Sequence, residues 1–144
     1  MAKSFPFEIV TPERLFYFGD VELVIVRTTT GEEGFMAGHS WACKLLDTGE
    51  LWFREAGSKE YRLAAISGGF IDVREQVLIY TDSAEWQGDI DIGRAEEAGR
   101  RELEWLEDNH IKGASAEEVE AHKLKAKRAD VRQKVAAGGI RQRH

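Results

Sequence analysis

The sequence predicts an N-terminal antiparallel β-sandwich of about ten strands, followed by a C-terminal antiparallel helical hairpin. Both prolines and all but one of the aromatic residues lie at or before Trp86. In that region short aromatic and β-branched segments follow one another with no helical pattern between them. From Ile90 onward the chain is rich in Ala, Glu, Arg and Leu, which favour helix. We therefore expect a sandwich over residues 1–86, a hairpin over 90–137 and a frayed tail over 138–144.

Eight segments have strand composition: FEIV, RLFYF, VELVIVRTT, CKLL, ELWFRE, YRLAAI, GFIDVR and VLIYT. Turn-forming residues separate them, at Pro12-Glu13, Phe18-Gly19-Asp20, Thr30-Gly31-Glu32, Asp47-Thr48-Gly49, Ala56-Gly57-Ser58 and Arg74-Glu75-Gln76. In ELWFRE, Leu51 and Phe53 alternate with Trp52, so one face is expected to be buried and the other to face water.

Residues 94–109 form the first predicted helix. Its narrow stripe of apolar or small residues is Ile92, Ala95, Gly99, Leu103 and Leu106. Ser115 followed by Glu118 is a capping-box pattern that starts a second helix, and Gly138-Gly139 is a suitable stop. The second stripe reads Ala121, Leu124, Arg128, Val131 and Val135. Such thin stripes predict a hairpin that is marginally stable alone and able to detach.

Arg128 interrupts an otherwise apolar stripe, and two interpretations stay open. In the first interpretation, the aliphatic stem of Arg128 packs in the stripe while its guanidinium reaches water. Alternatively, the guanidinium meets an anion between the helices, where Arg94 and Arg101 share a face of the first helix.

The charge is unevenly distributed. The net charge is −6, but residues 111–144 contain 9 Lys+Arg against 4 Asp+Glu, a net of +5. Residues 1–110 then hold 11 basic and 22 acidic side chains, a net of −11. A basic tail on an acidic body predicts an acidic partner for the tail. Nucleic acid is disfavoured, because the body would repel it and no basic stripe is interleaved with aromatic residues.

Several other classes of protein are disfavoured. No apolar run reaches the length of a membrane span, so no direct membrane insertion is expected. The N-terminus has no signal-peptide pattern, which predicts a cytosolic protein. Cys43 is the single cysteine, so neither an internal disulfide nor a zinc site built on several thiolates can form. The four histidines, at positions 39, 110, 122 and 144, lack metal-ligand spacing.

The segment GHSWACK places His39 and Ser40 near Cys43, which suggests a base beside a nucleophile. No nucleophile elbow or oxyanion loop surrounds them. A turn histidine and a core cysteine are the stronger interpretation, and no self-contained enzyme is expected. A small hydrolase using His39 and Cys43 remains an alternative.

Four segments in order resemble the epsilon subunit of bacterial F-type ATP synthases. They are FEIVTPERLFYFGDVELVIV, TGEEGFMAGHS, AISGGFIDVREQVLIYTDSAE and IDIGRA. The resemblance implies two five-stranded sheets followed by a helical hairpin. It also implies a non-catalytic rotor subunit of the central stalk, which couples ion-driven rotation of the membrane ring to ATP synthesis. A free-standing interaction module with a helical dimerisation tail is the alternative.

The resemblance also implies partners. The sandwich would contact the gamma subunit and the polar loops of the membrane-embedded c-ring, as a peripheral component at the cytoplasmic face of the plasma membrane. The contact candidates are Glu32, Glu33, His39 and Trp41. The family usually has PGH followed by Ala-Pro in this loop, whereas here Ala37 and Trp41 replace the two prolines.

In this family the hairpin either folds down against the sandwich or extends along gamma. When it extends, its basic second helix approaches an acidic segment of a catalytic beta subunit and blocks ATP hydrolysis. The corresponding basic residues here are Lys123, Lys125, Lys127, Arg132 and Lys134.

No cofactor is required, but some members of the family bind regulatory ATP through the motif Ile/Leu-Asp-x-x-Arg-Ala. Ile90, Asp91, Arg94 and Ala95 match that motif, and Glu85, Arg101 and Arg128 complete the ATP site that the resemblance implies. The alternative is structural: Asp91 caps the helix, and Arg94 pairs with Glu97 or Glu85.

Overall fold

The structure is a computed structural model that describes residues 3–109 and 112–139. Its strands are β1 (Phe5–Val10), β2 (Leu15–Thr28), β3 (Gly31–Met36), β4 (Ala42–Glu55), β5 (Arg62–Ile66), β6 (Phe70–Val73), β7 (Val77–Tyr80) and β8 (Ala84–Trp86). A 3-10 turn, Gln87–Asp89, leads to α1 (Ile92–Asn109) and α2 (Ala116–Ala136). The predicted class, a β-sandwich followed by a helical hairpin, is confirmed.

Two long strands each belong to both layers of the sandwich. The first half of β2 pairs with β1, whereas its second half pairs with β3 and β4. The start of β4 pairs with β6, and its second half pairs with β2 and β5. The first layer is therefore β2–β1–β7–β6–β4, and the second layer is β3–β2–β4–β5–β8. Eight continuous strands thus provide two five-stranded layers, which accounts for the predicted count of about ten.

The continuity of β2 and β4 corrects two of the predicted turns. Gly19 and Gly49 lie inside these strands, where the chain passes from one layer to the other. A Cβ at Gly49 would lie 3.3 Å from the Cβ of Arg27, so the glycine permits a close approach there rather than a turn. β3 and β8 were not predicted, and β1 pairs with β7 in parallel, unlike the antiparallel pairing that the sequence predicts.

The main core lies between the two layers. Phe7, Phe35 and Phe53 are fully buried there. The rings of Phe7 and Phe53 meet edge to face, with centroids 5.3 Å apart. Leu51 and Phe53 point into this core, as their alternation predicts.

A second, separate cluster joins the sandwich to the hairpin. Ile25, Trp52 and Leu63 form a row across the outer face of the second layer, because each is the direct cross-strand partner of the next. Val131 and Val135 of α2 cover that row. The expectation that the Trp52 face of its strand is wet is therefore wrong: Trp52 is buried beneath α2.

The predicted ends of the helices agree with the structure. The amide of Arg94 donates to Asp91 Oδ1 at 3.1 Å, so Asp91 caps α1. The amide of Glu118 donates to Ser115 Oγ at 3.1 Å at the start of α2. Gly138 and Gly139, with φ of 103° and 85°, follow α2 in the left-handed region that favours glycine. Residues 140–144 of the predicted tail lie outside the described residues.

The predicted apolar stripes of the two helices are only partly confirmed. Ala95 and Gly99 of α1 are buried, but Ile92 and Leu103 of that stripe are exposed. In α2, Val131 and Val135 are buried, whereas Ala121 and Leu124 are exposed and Ala129, outside the predicted stripe, is buried. The reason is that α2 packs against both α1 and the sandwich near its C-terminal end. A single heptad stripe describes only one such face.

In the described part of the chain, neither helix is long and apolar enough to cross a membrane.

Candidate functional site

A cavity lies between α2 and the edge of the sandwich. Its volume is about 390 Å³. The sandwich lines it with residues from the β1–β2 turn, β4, β5 and β8, and α2 closes the other side. The charged residues on its walls are Arg14, Glu85, Asp89, Arg128 and Arg132.

The two arginines of α2 point into the cavity from one face of the helix, since they are four residues apart. Arg132 makes a two-pronged pair with Glu85: Nε donates to Oε1 at 2.8 Å and Nη2 to Oε2 at 3.2 Å. Arg128 Nε is buried and has no hydrogen-bond partner among the described residues. A buried guanidinium N–H without an acceptor is costly, so this wall is suited to receive an anion.

The cavity brings together only part of the predicted ATP site. Glu85 and Arg128 line it, and Arg132 joins them although it was predicted to belong to the inhibitory surface. Arg94 and Arg101 lie on the exposed side of α1 and do not line the cavity. The interpretation of Arg128 as lying between the two helices is therefore wrong, because its wall of the cavity faces the sandwich.

The motif residues at the start of α1 have structural contacts of their own. Asp91 caps the helix, and Arg94 Nε lies 3.8 Å from Asp91 Oδ2. Arg94 therefore pairs with Asp91 rather than with Glu97 or Glu85, the partners suggested from the sequence, and Glu85 is paired with Arg132. Ile90 belongs to the cluster under α2, and the Ala95 carbonyl accepts a hydrogen bond from Gln133 Nε2 at 3.3 Å.

The basic residues of α2 divide into two groups. Lys127 and Arg132 bind the sandwich: Lys127 Nζ lies 2.6 Å from Asp47 Oδ1, and Arg132 pairs with Glu85. Lys123 and Lys134 pair within the helix, with Glu120 and Asp130. Lys125 is exposed. The hairpin is therefore in its folded-down arrangement, with two of its cations held by acidic residues of the sandwich.

The far end of the hairpin is joined by an aromatic contact. The rings of Trp105 and His122 are stacked with centroids 3.5 Å apart, and His122 Nδ1 also bonds Glu102 Oε2. This contact links α1 to α2 beyond the region that packs on the sandwich. The sequence gives little sign of it, because the two rings lie on different predicted helices.

The outer face of the first layer is not covered by the hairpin. One continuous cross-strand row on this face consists of Leu15, Val10, Tyr80, Phe70 and Leu45, each paired directly with the next. Leu15 and Leu45 are 56% and 66% exposed. We call these five residues the apolar row. Exposed apolar side chains grouped in one row are typical of a site for another protein.

The predicted contact residues lie on β3 and in the loop before β4. Trp41 is exposed, with the Arg74 guanidinium 5.9 Å from its ring centroid. Glu33 of β3 bonds Lys44 of β4, and this hydrogen bond holds the pKa of the Glu33 carboxyl below its ordinary value. Glu32 is also on β3, the edge strand of the second layer.

The contacts that the structure shows for His39 do not involve Cys43. The His39 ring lies edge-on to Phe35, and Nδ1 contacts the Ser40 carbonyl at 2.8 Å. Cys43 is exposed on β4, so the expectation of a core cysteine is wrong. Within residues 3–109 and 112–139, no group of three or more His, Cys, Asp and Glu side chains could hold a metal ion.

Sequence comparison identifies relatives across most of the chain. The family model for the ATP synthase delta/epsilon chain β-sandwich domain matches residues 4–87. The ATP synthase epsilon chain of Alkaliphilus oremlandii is 45% identical over 102 residues, covering 70% of this chain and 75% of that protein. That of Caldanaerobacter subterraneus subsp. tengcongensis is 40% identical over 139 residues, covering 95% and 96%.

Structural comparison matches chains of two mitochondrial ATP synthases. A chain of the Euglena gracilis OSCP/F1/c-ring structure aligns with a TM-score of 0.75 at 20% identity, covering 88% of this chain and 78% of that one. A chain of the Tetrahymena thermophila central stalk/c-ring structure aligns with a TM-score of 0.65 at 12% identity, covering 94% and 98%. At these identities the likeness shows a shared fold.

Proposed function

The chain belongs to the ATP synthase epsilon chain family, and from this premise we propose that it is a rotor component of the central stalk that both couples and regulates the enzyme. It is a non-catalytic subunit. Its sandwich transmits rotation between the c-ring and the gamma subunit, and its hairpin restrains ATP hydrolysis. It works as a peripheral component at the cytoplasmic face of the plasma membrane.

The observation that carries the coupling role is the difference between the two outer faces of the sandwich. The hairpin covers the second layer, through Val131 and Val135. The first layer is free of it and presents the apolar row. We assign the apolar row to the gamma subunit, since a stable interface needs an apolar centre. Glu32 and Glu33 on the β3 edge, with His39 and Trp41 beside it, are assigned to the polar loops of the c-ring.

Co-purification tests this role. The chain produced with a tagged gamma subunit is expected to be retained through washes at physiological salt, because an apolar interface is little screened by ions. The retained complex, added to a membrane ATPase depleted of this subunit, is expected to restore coupled ATP synthesis. A chain that passes through the column while the tagged gamma subunit is folded would contradict the assignment.

The regulatory role rests on the two groups of cations in α2. In the folded-down state Lys127 and Arg132 are held by Asp47 and Glu85 of the sandwich. If α2 leaves the sandwich, these cations join Lys123, Lys125 and Lys134 as a basic surface around the helix, with Lys123, Lys127 and Lys134 on one face and Lys125 and Arg132 on the opposite face. That surface fits the acidic segment of a catalytic beta subunit. Each half-exposed pair is weak, so the balance between the two states can shift with modest changes in binding.

We further propose that ATP is a regulatory ligand of the folded-down state. Support comes from the unpaired Arg128 Nε and from Arg132 beside it. Their guanidinium groups suit phosphate oxygens, and Glu85 and Asp91 are assigned to donors on the base or ribose. Ile90 and Ala95 complete the motif. Because ATP would bind only the folded-down hairpin, it would stabilise that state, and so oppose inhibition, increasingly as its concentration rises above Kd.

Calorimetric titration with ATP tests this site. Arg128→Ala is expected to weaken ATP binding by about tenfold or more, as the loss of a charge-assisted hydrogen bond does. Lys125→Ala removes an exposed cation from the same helix and should leave the affinity unchanged. Arg94→Ala distinguishes a site built on the sequence motif from a site in the cavity. A large loss of ATP affinity in this variant would mean that Arg94 turns toward the ligand. If the unmodified chain releases no heat of binding at millimolar ATP, the proposal that ATP is a ligand is contradicted.

A further inference from the structure

We propose that Arg14, in the turn between β1 and β2, binds the phosphate groups of the ligand together with Arg128 and Arg132. This inference rests on the proposed ATP site and adds a contact from the sandwich. The ligand would then be held from both sides of the cavity, with one cation from the sandwich and two from α2. It would join the two parts of the chain rather than bind the hairpin alone.

The position of Arg14 is fixed by its turn. The amide of Thr11 donates to the Arg14 carbonyl at 3.0 Å, and the amide of Arg14 donates to Thr11 Oγ1 at 3.3 Å. The guanidinium carbon of Arg14 lies 5.6 Å from the Phe16 ring centroid. Phe16 is itself stacked on Trp86, another residue of the cavity wall, with centroids 4.3 Å apart. These contacts fix the backbone of the turn and set the guanidinium beside an aromatic pair, while the Arg14 side chain remains exposed to a ligand in the cavity.

Two guanidinium groups on the cavity wall make no ion pair with a described carboxylate, although Asp89 also lines the cavity. Arg132 is matched by Glu85. Among the described residues no ion pair involves Arg14 or Arg128, although both line the cavity. One of the two comes from the sandwich and the other from α2. A ligand with several phosphate groups can neutralise both, which a single carboxylate cannot do.

The bridging arrangement has a consequence that a site within the hairpin would lack. Arg14 and Arg128 can share a ligand only while α2 lies against the sandwich. Removing Arg14, which is outside the hairpin, should therefore reduce how strongly ATP holds the hairpin down. The effect should depend on the number of phosphate groups, because Arg14 is assigned to the phosphates rather than to the base.

The test uses the full chain and titrates ATP and AMP into Arg14→Ala, Arg14→Lys and a matched control. The control is Arg74→Ala, which removes another sandwich arginine that lies over an aromatic ring, Trp41, but outside the cavity. Arg14→Ala is expected to weaken ATP binding about tenfold and AMP binding much less. Arg14→Lys should recover part of the loss. Arg14→Ala should also lose ATP-dependent protection of α2 from hydrogen exchange.

The outcomes separate this inference from the site on which it rests. One outcome would refute the contribution of Arg14 and leave the ATP site standing. In that outcome the unmodified chain binds ATP and Arg128→Ala binds it more weakly, but Arg14→Ala binds it as Arg74→Ala does. Equal losses for ATP and AMP in Arg14→Ala would refute a contact with the β- and γ-phosphate groups, which AMP lacks, and with it the expected dependence on the number of phosphate groups. If the unmodified chain binds no ATP at millimolar concentration, both proposals are overturned. Unchanged melting temperatures of the variants exclude misfolding as the cause of any loss.

Discussion

Leu45→Asp is expected to abolish retention of this chain by the gamma subunit while leaving its fold intact. Leu45 ends the apolar row and is 66% exposed, so the free chain tolerates a carboxylate there. At an interface the same carboxylate would be buried without a partner. An unpaired buried charge costs about 3–5 kcal/mol, which weakens binding on the order of a hundredfold or more.

Leu103→Asp is the matched control for this experiment. Leu103 is 57% exposed, but it lies on α1 away from the sandwich. The two variants introduce the same charge at leucines of similar exposure, so a difference between them reports the location of the interface. Retention is measured on tagged gamma, and melting temperatures confirm the fold. If both variants are retained equally, the apolar row is not the gamma surface.

The layers of the sandwich could be predicted from the sequence, but the passage of strands between them could not. Alternation identifies buried residues such as Phe53, and turn residues mark most strand ends. Gly19 and Gly49 look the same in the sequence as turn glycines. They differ because β2 and β4 continue through them in order to pair with new neighbours. That is a property of long-range pairing, which local composition does not encode.

The burial of Trp52 shows the same limit in another form. The alternation in β4 correctly separates its two faces, yet it cannot show that a helix about 80 residues later in the sequence covers one of them. The aromatic character of Trp52 was the available signal. A tryptophan on an expected wet face is compatible with a covering partner, and in the folded-down state that partner is α2.

The candidate site was predictable where a residue broke a local pattern. Arg128 interrupts an apolar stripe, and the structure places this residue in the wall of a cavity. Arg132 could have been found from its four-residue spacing to Arg128, but its charge alone favoured the inhibitory surface. Arg14 has no comparable signal, because it reaches the cavity only through the pairing of β1 and β2. Motif matching named Arg94, whose place in the structure is beside Asp91.

The forces that hold the hairpin down are of two kinds with different consequences. Val131 and Val135 bury apolar surface on the sandwich, a contribution that salt does not screen. The pairs of Lys127 with Asp47 and Arg132 with Glu85 are partly exposed and contribute little in salt. The apolar contact therefore sets most of the stability of the folded-down state. The ion pairs mainly keep two cations away from other acidic partners.

Truncation after Gly88 is expected to raise ATP hydrolysis by the assembled enzyme about fivefold or more, the usual scale of regulatory coupling. The cut falls within the 3-10 turn that follows β8, so every strand of the sandwich is retained. The coupling surface remains, and only the proposed brake is removed. Hydrolysis is measured in a reconstituted complex with and without the hairpin, and retention of gamma is checked in parallel.

Truncation also uncovers Trp52 and its neighbours, so a second variant is needed to assign the effect to charge. In Lys123→Ala/Lys125→Ala/Lys134→Ala the hairpin and its bonds to Asp47 and Glu85 are retained. The variant removes the three cations for which the structure gives no hydrogen bond or ion pair with the described residues of the sandwich, and with them most of the attraction to an acidic beta segment. This variant should also raise hydrolysis, though less than truncation does.

Unchanged hydrolysis in the truncated complex would contradict the proposal that this chain restrains ATP hydrolysis. A rise on truncation without any rise in the triple variant would show that restraint depends on the bulk of the hairpin rather than on its charge.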